Sequence, residues 1–457
     1  SRMWNPIAFM DEAPKNKNIT QQFFGNVYAE ITFIKDLVFR TDFGINHRNF
    51  RGRMFAPKFF HSAECKEDNS RVEQSTNANS SWQWENTLRY KKSFGEHSAS
   101  VLLGTSASRD VYEFMTGRRN KYPNEAMTNE NYWYLNAGDV MTSANSGGAN
   151  PRHSMFSYFA RLSYNYAEKY MAEVVVRRDG SSNFGPNNRY ATFPGVSLGW
   201  NVSNEKFWQP LSKAVSFLKI RYTDGKVGNS EVSDRRFMYL DQMKENGDYG
   251  YKFGPNGTKW SGYETVNMAV DLIWEESRKQ DLGIDLKLFN DDLSIVFDLF
   301  KERRENILLK REHSMPSFLG YNTSAPYGNI GIIENKGFDG TIEYNKRINK
   351  DWVIALRGNV TFNKDKWIQG ELPEQKYEWM NQYGRNINGA KGYVAEGLFT
   401  QAEIDDMARW ESLSDANKAI TPKPFASQFG TVKAGDIKYK DLNNDGQIDA
   451  YDQTYIS

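Results

Sequence analysis

The side chains whose types and spacing best suit binding chemistry lie close together in this sequence, at positions 441 to 452. Oxygen-bearing residues recur at alternate positions there, and a glycine stands sixth. An EF-hand loop takes carboxylate or amide oxygens from positions 1, 3 and 5, a backbone carbonyl from position 7, and glycine at position 6 for its sharp turn. The segment is therefore predicted to bind calcium through Asp441, Asn443, Asp445, Gln447, Asp449 and Asp452.

The twelfth position of this loop departs from the EF-hand pattern. A bidentate glutamate is usual there, and Asp452 has a shorter reach. Ile448, at the eighth position, is expected to pack against neighbouring structure. The alternative is an Asx-rich turn that holds no ion, since Asn and Asp form such turns readily. If calcium binds, its predicted role is structural, because it would stiffen the loop.

The rest of the sequence offers no catalytic motif. It contains no glycine-rich phosphate loop, no zinc-binding HExxH and no Gly-x-Ser-x-Gly elbow. The five histidines are scattered without ligand spacing, and the carboxylates are too numerous for one pair to stand out. The chain is therefore predicted not to be an enzyme. Because 58 Lys and Arg stand against 57 Asp and Glu, no nucleic-acid partner is predicted.

The elements that must position these residues are β-strands, because apolar and polar residues alternate along most of the chain. A strand that crosses a bilayer needs roughly 9–11 residues, and an outer-membrane barrel alternates lipid-facing with lumen-facing side chains. Twelve strands in six hairpins are predicted: 23–33 with 37–45, 82–92 with 97–108, 158–166 with 170–178, 196–202 with 218–222, 282–288 with 293–299, and 338–344 with 352–362.

The predicted fold is all-β: an antiparallel transmembrane β-barrel with long extracellular loops. Turns within pairs are mostly short, whereas the stretches 48–80, 109–155, 224–277 and 303–336 are long, as in outer-membrane barrels with short periplasmic turns. Aromatic residues reach 14%, which suits interfacial girdles. Residues 1–363 are predicted to form consecutive hairpins of the barrel wall. Residues 364–457 are predicted to form a large extracellular loop region with the calcium loop at 441–452.

The inner face of this predicted wall is strongly polar, so its lumen must hold water or a polar plug. The residues assigned to that face are Glu30, Arg40, Asp42, Arg161, Glu173, Arg221, Asp285, Asp298 and Arg357. The stretch from Arg177 to Tyr190 is rich in turn formers and is predicted to be an extracellular hairpin loop with Arg–Asp pairing.

The segment from Arg177 to Trp200, RRDGSSNFGPNNRYATFPGVSLGW, resembles the signature of the SusC/RagA family of TonB-dependent outer-membrane transporters. The pieces GYVAEGLF at 392–399 and GDIKYKD at 435–441 agree with the same family in the same order. The resemblance implies a barrel of roughly 22 strands, an N-terminal plug, a segment that contacts TonB, and a lid formed by a SusD-like surface lipoprotein. It also implies a glycan or a peptide as substrate.

No plug, TonB-contacting segment or closing strands are recognised in this sequence, so the chain is interpreted as an internal piece of a longer protein. The predicted function is TonB-dependent active import of a nutrient across the bacterial outer membrane, together with a SusD-like lipoprotein. The wall would contact outer-membrane lipid, its loops would lie at the cell surface, and the TonB complex would act through the missing N-terminal part. The alternative is a cell-surface binding or adhesion protein that transports nothing.

Overall fold

The computed structural model describes residues 10, 13–62, 65–123, 126, 128–232, 237–252, 254, 257–267, 270–316, 318 and 325–455. The chain forms two compact units. Unit 1 contains residues 1–205, 228–241 and 271–274, and unit 2 contains 206–227, 242–270 and 275–457. None of the helices in the described ranges is both long enough and apolar enough to span a membrane.

Unit 1 is an antiparallel meander of seven long strands, with one short hairpin inserted between the second and third of them. Each long strand pairs with the next one along the chain, so all of its connections are local in the sheet. The strands are β1 (Lys15–Ile34), β2 (Leu37–Ala56), β3 (Phe59–Ser62), β4 (Cys65–Glu67), β5 (Arg71–Phe94), β6 (His97–Asn120), β7 (Ala144–Tyr166), β8 (Tyr170–Ser181) and β9 (Tyr190–Asn201).

The predicted alternation determines which side chains share a face of this sheet. Val27 stands opposite Phe43, and Ile31 opposite Phe39, so the apolar residues of β1 and β2 form one continuous face. These side chains are not packed into a core, since Val27 remains 70% exposed. An exposed apolar face backed by a polar one is the arrangement that a lipid-facing strand requires.

The strands of unit 1 are much longer than the sequence pattern predicts. β5 and β6 each have 24 residues, about 80 Å of strand at roughly 3.3 Å per residue. Most of the stretch 48–80 and about half of the stretch 109–155, both predicted as irregular, are therefore strand. A small core forms where the connection after β6 packs on this extension, and it contains Phe55, Val72, Tyr122, Ala126 and Trp133. Burial raises the pKa of Tyr122 to about 12.

Unit 2 contains five long strands, of which β13 to β16 pair antiparallel in chain order. A separate hairpin, β11 with β12, lies within the predicted long stretch 224–277. The strands are β10 (Val215–Asn229), β11 (Gln242–Lys252), β12 (Lys259–Asn267), β13 (Glu275–Leu288), β14 (Leu293–Lys310), β15 (Tyr327–Arg347) and β16 (Val353–Gln369).

The part of unit 2 after β16 has small elements of its own. β17 (Lys391–Tyr393) pairs with β20 (Gln453–Tyr455), and β18 (Ala395–Leu398) pairs with β19 (Ile437–Tyr439). Two helices follow β18: α1 (Gln401–Glu411) and α2 (Asp415–Lys418). The segment 441–452 connects β19 to β20 and therefore links the two small sheets. The other strands of these sheets, β18 and β17, are also adjacent in the chain. The assignment of 364–457 to the cell surface stays a prediction.

Candidate functional site: the 441–452 loop and the polar face of the wall

The first half of the 441–452 loop turns as an EF-hand loop does. The carboxylate Oδ2 of Asp441 accepts a hydrogen bond from the backbone N–H of Gly446 at 2.8 Å. Asn444 and Gly446 have left-handed backbones, with φ of 57° and 81°. Glycine takes that conformation without steric cost and asparagine with little. The loop therefore closes back on its first residue, as the spacing predicts.

The third and fifth positions of the loop form two successive Asx turns. Oδ1 of Asn443 accepts from the N–H of Asp445 at 3.0 Å, and Oδ1 of Asp445 accepts from the N–H of Gln447 at 2.9 Å. The side-chain amide of Asn443 also donates to Oδ2 of Asp445 at 2.9 Å. The same bonds satisfy both interpretations of the sequence, since an ion-free Asx turn and a calcium loop share this local geometry.

The twelfth position holds the ends of the loop together. Asp452 is completely buried. Its Oδ1 accepts from the N–H of Leu442 at 2.8 Å, and its Oδ2 accepts from the N–H of Asp449 at 2.9 Å. Oδ1 of Asp449 in turn accepts from the N–H of Tyr451 at 2.7 Å. Because a carboxylate offers about four acceptor sites, these two bonds leave Asp452 able to accept more.

One oxygen of the loop lacks a partner. Oδ1 of Asp441, at the first position, is buried and accepts no hydrogen bond. An unpartnered buried carboxylate oxygen costs free energy unless a cation or donor meets it. Within the described ranges, no three His, Cys, Asp or Glu side chains group closely enough to hold a metal ion. An EF-hand set does not depend on such a group alone, because an amide and a backbone carbonyl supply further oxygens. The six predicted ligands and the calcium itself stay a prediction.

Ile448, at the eighth position, connects the loop to Ser427, which precedes the loop in the chain. Ile448 is 5% exposed, and its N–H donates to the carbonyl of Ser427 at 2.7 Å. The N–H of Ser427 donates in turn to the carbonyl of Gly446 at 2.9 Å. The predicted packing of Ile448 is thus observed. The sequence did not predict Ser427 as the backbone hydrogen-bonding partner of Ile448.

Helix α1 is held by a capping box at its N-terminus and by an ion pair with β19. Its N-cap Thr400 and Glu403 form a reciprocal capping box. Lys438, on β19, donates to Oε1 of Glu403 at 2.9 Å. The backbone N–H of Thr400 and the ammonium of Lys438 together lower the pKa of Glu403 to about 2. The helix is thereby tied to the strand that leads into the 441–452 loop.

The polar face predicted for the wall is observed as networks of hydrogen-bonded charges inside each unit. In unit 1, Arg40 donates to Asp42 at 2.8 Å. In unit 2, the guanidinium of Arg221 donates to both Asp285 and Asp298, each at 2.9 Å. The remaining predicted polar-face residues, Glu30, Arg161, Glu173 and Arg357, lie on β1, β7, β8 and β16. A wall with this face suits a water-filled or plugged lumen.

The Arg177 to Tyr190 segment is more ordered than the predicted hairpin loop. Arg177 donates to Asp179 at 2.6 Å, so the predicted pairing is present. β8, however, continues to Ser181, and residues 183–185 are buried, whereas Pro186, Asn187, Arg189 and Tyr190 are exposed. Asn183, 1% exposed, donates through its amide to the carbonyl of Ser230 at 2.8 Å.

An aromatic cluster completes this buried segment. Phe184 is 1% exposed, and its ring lies 5.0 Å from the ring of Trp274. Phe193 approaches the same indole at 5.5 Å. Sequence reasoning missed this cluster because Trp274 lies far along the chain from Phe184.

The family model described as "TonB dependent receptor-like, beta-barrel" matches residues 12–454. This chain belongs to that family. The match confirms the predicted fold class, an antiparallel β-barrel of the outer membrane, and the prediction that the chain is not an enzyme, since these proteins are receptors and transporters. The figure of roughly 22 strands stays a prediction.

Relatives place the chain more finely within the family. It is 29% identical to TonB-dependent receptor P3 of Formosa agariphila, over 99% of this chain and 43% of that protein. It is 27% identical to TonB-dependent receptor SusC of Bacteroides thetaiotaomicron, over 62% of this chain and 28% of that protein. The SusC/RagA resemblance is thereby confirmed. The chain spans less than half the length of these relatives.

The solved structures agree on the fold. The chain superimposes on the RagAB peptide importer in its "open-open" state with a TM-score of 0.74 at 19% identity, over 98% of this chain and 45% of that one. A second RagAB peptide transporter structure matches with a TM-score of 0.71 at 21% identity, over 86% of this chain and 42% of that one. At this level of identity the likeness establishes the fold alone.

Proposed function

We propose that the full-length protein imports a nutrient across the bacterial outer membrane in a TonB-dependent manner, and that this chain supplies much of its barrel wall. The observation that carries the proposal is the family match over residues 12–454. It is combined with the apolar face of β1 and β2 in unit 1, which is backed by charges such as Arg40 with Asp42. A wall with a lipid-compatible outer face and a hydrated inner face is what a conduit for polar nutrients needs.

The chain's own residues would act as scaffold and conduit. Ion pairs on the polar face hold side chains in fixed positions and keep the lumen wettable, so a polar solute or plug can contact it without full desolvation. No covalent step is assigned to the chain. Movement of the plug and coupling to TonB belong to the N-terminal part predicted for the longer protein.

The proposed substrate is a glycan or a peptide, and the proposed partner is a SusD-like surface lipoprotein. Support comes from the similarity to SusC and to the RagAB peptide importer. The long connections between strand pairs would meet the lipoprotein and the substrate at the cell surface.

Purification of the native complex from outer membranes in mild detergent tests this function, with every polypeptide identified by mass spectrometry. We expect a longer parent chain together with a SusD-like lipoprotein. Uptake of labelled oligopeptides and labelled oligosaccharides by wild-type cells and by cells lacking the gene then separates the two substrate classes. A protein that purifies alone, with equal uptake in both strains, would contradict the transport proposal and favour the adhesion alternative.

We also propose that the 441–452 loop binds calcium. Asp441, Asn443, Asp445 and Asp452 would supply side-chain oxygens, Gln447 its backbone carbonyl, and Asp449 a water-mediated contact. The buried unpartnered Oδ1 of Asp441 supports the fit. Bound calcium would neutralise the carboxylates and stiffen the connection between β19 and β20. The shorter Asp452 places the expected affinity at the weak end of EF-hand loops, a Kd of about 10⁻⁵ to 10⁻³ M.

Isothermal titration of the chelator-treated full-length receptor with calcium alone and with magnesium alone tests this site. We expect one calcium-selective site in the wild type and its loss in Asp441→Asn. Glu374→Gln is the matched control, since Glu374 is an exposed carboxylate of the same region outside the loop. Equal calcium binding by all three proteins would mean that the loop is an ion-free Asx turn.

A further inference from the structure

Unit 1 contains a cavity of about 550 Å³ beneath the connection that follows β6. It is lined by residues of β1, β2, β5 and β6, by Asn145 of β7, and by residues 134 and 135 of the connection. The residues that give it chemical character are Lys17, Arg51, Arg53, Gln74, Met115 and Tyr134. Three of these six side chains are cationic, and none is acidic.

Strand register places this cavity on the apolar face of the sheet. Phe39, Phe43, Arg51 and Arg53 are all odd-numbered residues of β2, so they point to the same side. Lys17 stands directly opposite Arg53 on β1. The cations therefore lie on the face that carries the lipid-facing side chains, away from the polar face.

Distance along the strand places the cations just beyond the bilayer core. The residues of β2 from Leu37 to about His47 would cross an apolar band about 25 Å tall at a strand tilt of about 40°. Arg51 lies four residues further on, which adds about 10 Å along the membrane normal at roughly 3.3 Å per residue. The cavity lies toward the end of the sheet away from the short β1–β2 and β5–β6 turns, which is the cell-surface end of an outer-membrane barrel.

The two arginines have little local compensation. Nη2 of Arg51 donates to the amide oxygen of Gln21 at 3.2 Å, and the guanidinium of Arg53 lies 4.6 Å from the centre of the Tyr134 ring. Among the residues that the structure describes, neither guanidinium forms an ion pair with a carboxylate. The nearby Glu130 is paired with Lys17, whose ammonium is the main cause of the lowered pKa of that carboxyl, and the charge of Arg53 lowers it further. Arg51 gives one of its five N–H donors to Gln21, and the attraction between Arg53 and Glu130 acts over a longer distance than an ion pair, so both guanidinium groups keep donors for an external anion.

We propose that this cavity binds the phosphorylated sugar headgroup of a glycolipid in the outer leaflet. Guanidinium groups bind phosphate through paired hydrogen bonds, and basic pockets at a membrane surface select anionic headgroups. The position of the cavity on the apolar face, about 10 Å beyond the apolar band, suits sugars that extend past the bilayer surface. A solute passing through the lumen would not meet it. The assignment goes beyond import and rests on the proposed orientation of unit 1 in the membrane.

Lipid retention by the full-length receptor tests the site. The receptor would be placed in nanodiscs of neutral phosphatidylcholine with graded amounts of lipid A, and bound lipid A would be measured by native mass spectrometry. Loss of a charge-assisted hydrogen bond is expected to weaken binding about tenfold in Arg51→Gln or Arg53→Gln. Arg51→Lys keeps the charge without the fork and is expected to retain part of the affinity.

Arg48→Gln is the matched control, because Arg48 is an exposed arginine of the same strand on the opposite face. It should bind lipid A as the wild type does, and all variants should show the wild-type heat-stable mobility on gels. Equal weakening by Arg48→Gln, or unchanged binding in both cavity variants, overturns the proposal. If inorganic phosphate alone binds as tightly as lipid A and displaces it, the cavity is a soluble-anion site and the lipid assignment is wrong. Loss of a co-purifying protein with unchanged lipid A would likewise overturn it.

Discussion

Asp452→Asn is the substitution that most directly tests how the 441–452 loop is held. Both oxygens of the buried Asp452 accept backbone hydrogen bonds, from Leu442 at 2.8 Å and from Asp449 at 2.9 Å. Asparagine keeps one acceptor oxygen and replaces the other with an amino group that donates. One backbone N–H therefore loses its acceptor and faces a second donor.

The magnitude follows from the bond that is lost. A hydrogen bond to a charged group contributes about 1.5–3 kcal/mol, and the remaining donor stays buried. The free energy of local loop opening should fall by about that amount, which corresponds to roughly 10- to 150-fold faster amide exchange. The effect should be present without calcium, because both bonds join Asp452 to backbone N–H groups of the loop and need no ion.

Hydrogen–deuterium exchange of the full-length receptor, followed by mass spectrometry of peptides spanning 441–452, measures this opening. Exchange is recorded with chelator and again with saturating calcium, and Glu374→Gln provides the exposed control. Unchanged exchange of the Asp452→Asn loop in chelator would refute the role of Asp452 as the residue that closes the loop. A difference that appears only with calcium would make Asp452 a ligand and no more.

Three further substitutions test other parts of the structure. Phe184→Ala should destabilise unit 1 by about 3–5 kcal/mol, because the ring is buried against Trp274, and proteolysis between β8 and β9 should accelerate. Glu403→Gln should remove the pH dependence of the stability of α1. Because the pKa of Glu403 is lowered to about 2, its contribution is fully present above the pKa of an unfolded glutamate, about 4.3, and is lost as pH falls toward 2. Amide exchange of the helix measured against pH would show this loss in the wild type and its absence in the variant. Gly446→Ala should cost about 1–2 kcal/mol because φ is 81° there, and it should weaken calcium binding in titration.

The local sequence pattern predicted the structure correctly where the contacts that determine it join residues close together in the sequence. The turn at 441–446 depends on a hydrogen bond spanning five residues, from Gly446 to Asp441, and the spacing of side chains specifies it directly. The alternation of Phe39, Phe43 and their neighbours likewise predicts the faces of β1 and β2, because a strand has a period of two residues. Family membership and the strand faces therefore agree with what could be read from the residues.

Strand length could not be predicted in the same way. Residues 73–77 of β5 are polar on both faces and carry no alternation of apolar and polar residues. They are nevertheless strand, because Asn77 pairs with Phe50 on β2 and with Phe114 on β6. Backbone pairing on both sides satisfies the N–H and C=O groups without any demand on the side chains. The length of β5 is therefore determined by its pairing with both neighbouring strands, and it cannot be predicted from the sequence of β5 alone.

The Arg177 to Trp200 segment shows why the most specific stretch of the sequence is also the one that periodicity explains least. A strand face needs only alternation, so many sequences satisfy it. Asn183 instead requires the carbonyl of Ser230, and Phe184 requires the indole of Trp274. Each is nearly completely buried, so a substitution leaves an unpaired polar group or a cavity. Because the partners come from distant parts of the chain, the segment can be recognised by resemblance long before its packing can be derived.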